Sequence, residues 1–426
     1  MSSESNPDFR SVSAPAFGVY VHIPYCLQIC TYCDFVKFEV GDLPPMGRYV
    51  DLLREEIRSR AESLNPTPLS SLYLGGGTPS LMRPEDMVAV RDELARAGFP
   101  LSANAEVTLE VNPGTLGPVD DADSPQSRVQ AWLDCGVTRF SVGAQTFNAE
   151  LLKVTGRKHS VADTHRDLEL LSRMGLNFNF DLLFALPGQS LRELEEDLRQ
   201  ALAYGPRHLS AYCLTVPEKH PLNRGRAGDE EQADMFEMIE ERLQSAGIFR
   251  YELSNFAVPG FESRHNLLYW SDQPYWGLGM GAHSYRPRTA GQDDFWGLRF
   301  WNPATLKAYE HELREARGAS FWQSMSADRV EALKPHEALT DYLHTHLRVQ
   351  RGLDIERVAE KFGRAAAQDA IRRLAPCVEG GLLRTRTNSQ GVSFGVNYHF
   401  TPRGHALANR VLERLTYLQD EWPSLS

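Results

Sequence analysis

Val19-Tyr-Val-His-Ile-Pro-Tyr-Cys26-Leu-Gln-Ile-Cys30-Thr-Tyr-Cys33-Asp-Phe35 is a short β-branched run followed at once by three cysteines within eight residues. The chain has 426 residues, 42% of them hydrophobic and 24% charged, so it can bury a large core without metal or disulfide staples. Clustered thiols in such a chain read as ligands. A strand feeding a short loop lets three sulfurs converge from one side, while loop N–H groups point at an anionic centre. Soft thiolates suit both iron–sulfur clusters and zinc. A four-iron cube held by three thiolates keeps one iron open. Structural zinc needs a fourth ligand; none stands at finger spacing, and only a distant His22 or His283 would complete such a site.

Outward from this loop, short apolar runs alternate with longer helical patterns. Strands are expected at Val19–Ile23, Ser71–Leu74, Glu106–Val111, Arg139–Gly143, Phe178–Leu183 and His208–Leu214. Amphipathic helices fall between the later ones. Leu191, Leu194, Leu198 and Leu202 recur at helical spacing, as do Val161, His165, Leu168 and Leu171, with Gly175 where a C-terminal cap belongs. Strand–helix alternation implies right-handed crossovers and a parallel sheet, here an α/β fold curled into a partial (β/α)6 barrel. Barrels place their chemistry at the carboxyl ends of strands. Cys26 to Cys33, Gly75 to Thr78, Glu110, Gln145 and Asp181 are all expected there. Gly75-Gly-Gly-Thr78 lets the backbone approach a ligand, although a plain tight turn explains a glycine run about as well. Glu110, Gln145, Arg157 and Asp181 could each be a cap or a surface ion pair; together, at successive strand ends in barrel order, they are harder to dismiss as such.

After about residue 220 the alternation fades. Residues 251–285 are rich in aromatics, glycine and histidine and read as loops packed on the barrel. From about 327 three helices (Glu337–Val349, Asp354–Phe362, Ala365–Leu374), a Gly380–Gly381 turn, two short strands and a helix from Pro402 suggest a winged-helix-like α+β module. The expected divisions are a disordered tail at 1–17, a core barrel at 18–220, an accessory segment at 221–326 and the C-terminal module at 327–426. No signal peptide or membrane-spanning run stands out, so a cytoplasmic protein is expected. The net charge of −11 argues against nucleic acid as a partner. Cys135, Cys213 and Cys377 are scattered and read as small buried hydrophobes.

The C-x3-C-x2-C loop with Tyr32 before the last cysteine resembles the radical S-adenosylmethionine (SAM) signature, in which three cysteines hold a [4Fe-4S] cluster and the open iron binds SAM. From about Tyr20 to Arg410 the chain is similar to the oxygen-independent coproporphyrinogen oxidase family, and within it to the haem-chaperone branch. By position, that resemblance implies SAM or cluster contacts from Tyr20, Tyr32, Gly76, Gly77, Thr78, Glu110, Gln145, Arg157, Asp181 and Tyr212, with His283 at a late pocket position. True oxidases carry a further cysteine two residues after the third; here that position is Phe35, and they also have an ordered N-terminal arm. His265-Asn-Leu-Leu-Tyr-Trp270 matches the branch's haem-associated H-N-x-x-Y-W motif, which makes His265 the axial-ligand candidate. On the residues alone, packing of that loop is the better account.

The resemblance implies haem as carried ligand, an apo-haemoprotein as acceptor, and room for a transient contact with a membrane protein. The competing reading is an anaerobic coproporphyrinogen III oxidase working through a 5′-deoxyadenosyl radical. A third is a radical SAM enzyme on another substrate. Three departures from the family pattern stand out: Ala185 where glycine is usual, Leu214-Thr-Val-Pro-Glu218 in place of a glutamate after the strand, and His344 with His346 in a C-terminal helix.

Overall fold

The computed structural model describes residues 16–117, 124–289, 291, 294–316, 325–387 and 395–424. All six expected strands form. In chain order the first half contains β1 (Gly18–Ile23), β2 (Tyr25–Cys26), β3 (Phe38–Glu39), β4 (Leu69–Gly76), β5 (Leu101–Val111), β6 (Arg139–Gln145), β7 (Phe178–Phe184) and β8 (His208–Cys213). β1, β4, β5, β6, β7 and β8 lie side by side in that order, every pair parallel. Helices Met46–Arg60, Pro84–Arg96, Pro125–Asp134, Val161–Arg173 and Leu191–Ala203 return the chain between them. Ser160 and Ser190 each close a capping box at the start of the last two, and Gly175 takes φ +68° just past the end of Val161–Arg173.

The second half departs from its expected loops. It supplies β9 (Phe249–Arg250), β10 (Asn255–Ala257), β11 (Tyr275–Leu278), β12 (His283–Pro287), β13 (Gly297–Trp301) and β14 (Val330–Ala332). β11 lies parallel to β1, with β12, β13 and β14 following antiparallel, while β10 and β9 extend the sheet beyond β8. The result is a twelve-stranded sheet ending in β14 on one side and β9 on the other. These strands are two to five residues long, and β11 contains Gly277, where a Cβ would run into the His283 carbonyl. Strands that short show no periodicity. A buried network makes the join: Glu56 accepts from Gly279 N at 2.8 Å, Asn302 Nδ2 at 2.7 Å and Tyr309 Oη at 2.5 Å, and Arg60 pairs with Glu312 at 2.6 Å.

The C-terminal residues have a separate core built on Leu339, Leu343, Ile355, Val358, Leu374 and Val411. Helices Pro335–Leu347, Ile355–Phe362 and Arg364–Glu379 pack with an antiparallel sheet of β15 (Leu353–Asp354, between the first two helices), β16 (Leu383–Thr387) and β17 (Val396–Phe400), with β17 central. Asp354 caps its helix as expected, by accepting from Glu356 N at 3.0 Å. This part rests on the second half of the chain: Trp296 stacks on Phe362 and Lys361 pairs with Asp272. His344 donates to the Leu412 carbonyl at 2.7 Å and His346 to the Tyr342 carbonyl at 2.9 Å, so both are packing groups.

Of the expected tail, residues 1–15 lie outside the described residues. Ala16 bonds Gln273 at 3.0 Å and Phe17 packs on Phe99, so those two belong to the fold. Among the described residues no helix is long and apolar enough to cross a membrane.

Candidate cofactor site

Parallel strands covered on both faces are normally apolar throughout. Here every second residue on the inner face is polar. Register stacks these residues in layers: Tyr20, Tyr73, Thr108 and Arg139 at the lowest level, then Glu110, Ser141, Asn179 and His208, then Asp181 beside Ser210. Of these, Tyr73, Arg139, Glu110, Ser141, Asn179, Asp181 and Ser210 line a cavity of about 360 Å³ whose upper wall is the cysteine loop. Cys26, Cys30, Cys33, Tyr32, Gly76, Gly77, Thr78, Glu110, Gln145, Arg157, Asp181 and Tyr212 all line it. A wider groove of about 1010 Å³ runs outside along Leu191–Ala203; its wall includes the ion pairs Arg199–Glu196 and Arg242–Glu195, and it shares none of these residues.

The cysteine loop is pinned from below. Gln28 Nε2 donates to the Gly156 carbonyl at 2.9 Å and Thr31 N to the Thr155 carbonyl at 3.2 Å. Arg157 reaches up to Cys30 Sγ at 3.4 Å and also donates to the Gly143 carbonyl. Burial pushes the Cys26 thiol up to about 11 and raises Cys33 as well, so each thiolate waits for a positive partner. Among the described residues no three His, Cys, Asp or Glu groups converge on a single-ion site. One zinc ion needs every sulfur within about 2.3 Å of a common point; a cube takes each thiolate on a different iron. Of the two histidines considered for zinc, His22 has one ring nitrogen bonded to the Val36 carbonyl (2.6 Å) and the other to Tyr20 Oη (2.9 Å), and His283 is exposed on β12, stacked on Trp301. Neither His283 nor Tyr20 lines the cavity; Tyr20 stands behind it in the lowest layer.

The glycine run closes the near wall. Gly76 has φ +110° and gives its N–H to Glu110 Oε2 at 2.9 Å. A Cβ at Gly77 would lie 2.7 Å from the Tyr25 carbonyl oxygen. Glu110 also accepts from Tyr73 Oη at 2.8 Å, while Asp181 accepts from Asn179 Nδ2 at 2.6 Å and Ser141 Oγ at 3.2 Å. Burial pushes Glu110 up to about 7 and raises Asp181. Neither carboxylate has an ion pair among the described residues. The buried Arg139 guanidinium in the same cavity pulls both pKa values part of the way back down, but it is one positive charge to two acids, so the arrangement suits a ligand that brings another. Asp181 is mid-strand rather than at a strand end; it reaches the cavity because its side chain has inward parity. Gln145, at the end of β6, takes φ +70°, a strained geometry of the sort kept at binding sites.

His265 stands apart from the cavity. It is 1% exposed, on the helix Arg264–Trp270 against β4, with Nδ1 bonded to Ser71 Oγ at 2.8 Å and Nε2 to Tyr269 Oη at 2.9 Å. Both ring nitrogens are engaged, so in this conformation the ring packs the amino ends of the strands and has no free lone pair for a metal. The motif residue that lines the cavity is Asn266. Sequence reading also missed Tyr73, Arg139, Ser141, Asn179 and Ser210; their signal was polar residues two apart inside strands expected to be apolar throughout.

Residues 20–201 match the Radical SAM superfamily, which gives the class of protein that this sheet and cavity define. The chain is 32% identical over 402 residues to the heme chaperone HemW of Bacillus subtilis, covering 92% of this chain and 97% of that one. It is 32% identical over 426 residues to HemW of Mycobacterium tuberculosis (96% and 97%) and 39% identical over 277 residues to HemW of Escherichia coli (64% and 71%). The chain belongs to the HemW family of heme chaperones. The solved coproporphyrinogen III oxidase HemN of Escherichia coli shares the fold, with a TM-score of 0.74 at 21% identity over 94% of this chain and 90% of that one.

Proposed function

We propose that this protein is a cytoplasmic radical SAM haem chaperone that receives haem and passes it to an apo-haemoprotein, soluble or membrane-embedded. The end-to-end likeness to HemW carries the reading, joined to Phe35 at the position where oxidases place a fourth cysteine. Phe35 is 65% exposed at the cavity rim, an apolar surface where an oxidase has a thiol. The inner strands are read as a partial (β/α)6 barrel at 18–220, the segment 221–326 as its accessory cover, and 327–426 as a winged-helix-like module.

Cys26, Cys30 and Cys33 would hold a [4Fe-4S] cluster, which fits three thiols on one wall of the cavity, Cys26 buried and Cys30 and Cys33 half-buried. When bound together, cluster and SAM supply one-electron chemistry. The chain's own residues set the binding. Glu110 and Asp181 offer negative charge to an ammonium or a diol, Arg157 and Thr78 face the cysteine loop, Gly76 and Gly77 clear the wall, and Gln145, Tyr32 and Tyr212 complete it. Haem would dock near His265–Trp270. For His265 to serve as axial ligand it must first release Ser71 and Tyr269.

The test is anaerobic reconstitution followed by three assays: haemin titration, haem transfer to an apo-haemoprotein, and turnover of coproporphyrinogen III with a low-potential reductant. Haemin binding and transfer without turnover is the expected result. Robust conversion to protoporphyrinogen IX would replace this reading with the oxidase.

A further inference from the structure

Arg139 is the first residue of β6, at the end of the cavity away from the cysteines, and it is only 2% exposed. Its guanidinium makes no hydrogen bond and no ion pair with any described residue, and its Nε is sealed from solvent without a partner. Burying a cation without a hydrogen-bond partner is costly, so the usual resolution is a carboxylate in direct contact. Glu110 and Asp181 share the cavity and feel the Arg139 charge, but neither is in hydrogen-bond or ion-pair contact with it. Glu110 spends its oxygens on Tyr73 Oη and Gly76 N, and Asp181 spends its own on Asn179 and Ser141. The guanidinium is left facing cavity space.

One other polar side chain at that end is also unspent. Asn266, in the middle of His265-Asn-Leu-Leu-Tyr-Trp270, lines the cavity and makes no side-chain hydrogen bond with any described residue. Its helix buries His265 and Leu268 but leaves Leu267, Tyr269 and Trp270 partly exposed. Asn266 therefore joins the outer surface of the motif to the inner end of the cavity. A planar guanidinium beside an amide N–H donor is a donor set for a carboxylate.

A carboxylate held there would be distinct from any held by Arg157 at the cysteine end. Arg157 is anchored at Gly143, four residues along β6 and roughly 13 Å from the Arg139 level at strand rise. A single amino-acid carboxylate held beside Arg157 does not also reach Arg139.

We propose that the inner end of the cavity is a second ligand's subsite, in which Arg139 and Asn266 hold the carboxylate of an acidic side arm on the bound tetrapyrrole. The proposal rests on the haem-handling reading above and gives the motif's asparagine, rather than its histidine, the direct contact.

The experiment titrates the reconstituted protein with haemin and with haemin dimethyl ester, following the Soret band. Wild type should bind the diacid at least about tenfold more tightly than the diester, the scale of one charge-assisted contact. Arg139→Gln and Asn266→Ala should each bring the two ligands closer together by weakening the diacid alone. Arg139→Lys should keep part of the preference. SAM affinity, read from the cluster's EPR response, should not change in any of them. A wild type that binds both forms equally, or an Arg139→Gln protein that keeps full discrimination, would overturn the subsite while leaving the chaperone reading standing. Loss of SAM affinity with haemin discrimination intact would assign Arg139 to the SAM carboxylate instead and likewise overturn it. Failure of wild type to bind either ligand would remove the haem-handling reading and the subsite with it.

Discussion

The cysteine loop and the helix Arg264–Trp270 each carry a motif, and the fold treats them in opposite ways. Around the loop, polar chemistry is left unfinished: thiols raised by burial, Glu110 and Asp181 buried without an ion pair, Gln145 held at φ +70°. Around His265 it is finished, with both ring nitrogens bonded and the ring packed on Tyr73 at 5.1 Å and Tyr269 at 5.3 Å. Unsatisfied buried groups are costly, and a chain keeps them where a ligand will satisfy them. That makes the loop the better candidate for a binding site. The histidine is a plug at the amino ends of the strands, with Asn266 as the motif's reach into the cavity.

The contrast breaks first at the cysteines. Replacing Cys26, Cys30 or Cys33 by serine should abolish the cluster, read as iron and sulfide content and loss of the brown chromophore. Cys377→Ser and Cys135→Ser should retain both, because Cys377 lies in the C-terminal core and Cys135 packs on the outside of the main core. A serine variant of the triad that keeps full iron would end the assignment.

The next effect is on SAM. Glu110→Gln and Asp181→Asn should each weaken it about 10- to 100-fold, the range of a charge-assisted bond, measured by the EPR response of the reduced cluster. Glu110 also gives the sign of the pH dependence. Its carboxyl is pushed up to about 7 by burial, so it is neutral below that pH. The ligand-free fold is favoured by this group at low pH and loses that contribution as pH rises through about 7. SAM binding runs the other way, since its ammonium needs the carboxylate, and affinity should fall as pH drops from 8 to 6. Glu110→Gln should flatten that profile. A slope that survives the substitution places the titrating group elsewhere.

These groups mark how far the sequence could be read. The six inner strands, the cysteines and the glycine run were legible because long β-branched runs and tight cysteine spacing are local signals. β11 to β13 were not: strands of four and five residues, broken by Gly277, are defined by pairing with β1 and by Glu56, which lies more than 200 residues earlier. Arg139 was not legible from the rule that barrels place their chemistry at the carboxyl ends of strands, because it stands at an amino end and reaches inward by parity. The alternation Arg139-x-Ser141-x-Gly143-x-Gln145 carried the information.

His265→Ala sharpens the comparison from the other side. If the ring is a plug, its removal should lower stability by about 2–4 kcal/mol, from the cavity left and the stranded Ser71 and Tyr269 hydroxyls, seen as a lower denaturant midpoint. The Soret band of the folded fraction should keep its position with haemin. A band that moves while stability holds would return His265 to the role of axial ligand and dissolve the contrast.

The smallest effect concerns a second strained residue, which no ligand explains. Ala185, just past β7, has φ +57° and is fully buried, outside the cavity. Left-handed backbone costs a residue with a Cβ roughly 1–2 kcal/mol, which accounts for glycine being usual there. Ala185→Gly relieves that strain, but it also withdraws a buried methyl worth about 0.8 kcal/mol and loosens the unfolded chain by about 0.4–1 kcal/mol. The terms nearly cancel, so chemical denaturation should place the variant within about 1 kcal/mol of wild type, and SAM binding should not change. Gln145→Gly relieves the same kind of strain at the cavity wall. It should leave stability similarly close to wild type but weaken the EPR response to SAM, because there the strained residue's side chain faces the ligand. Equal SAM binding by both variants would make the geometry of Gln145 as incidental as that of Ala185.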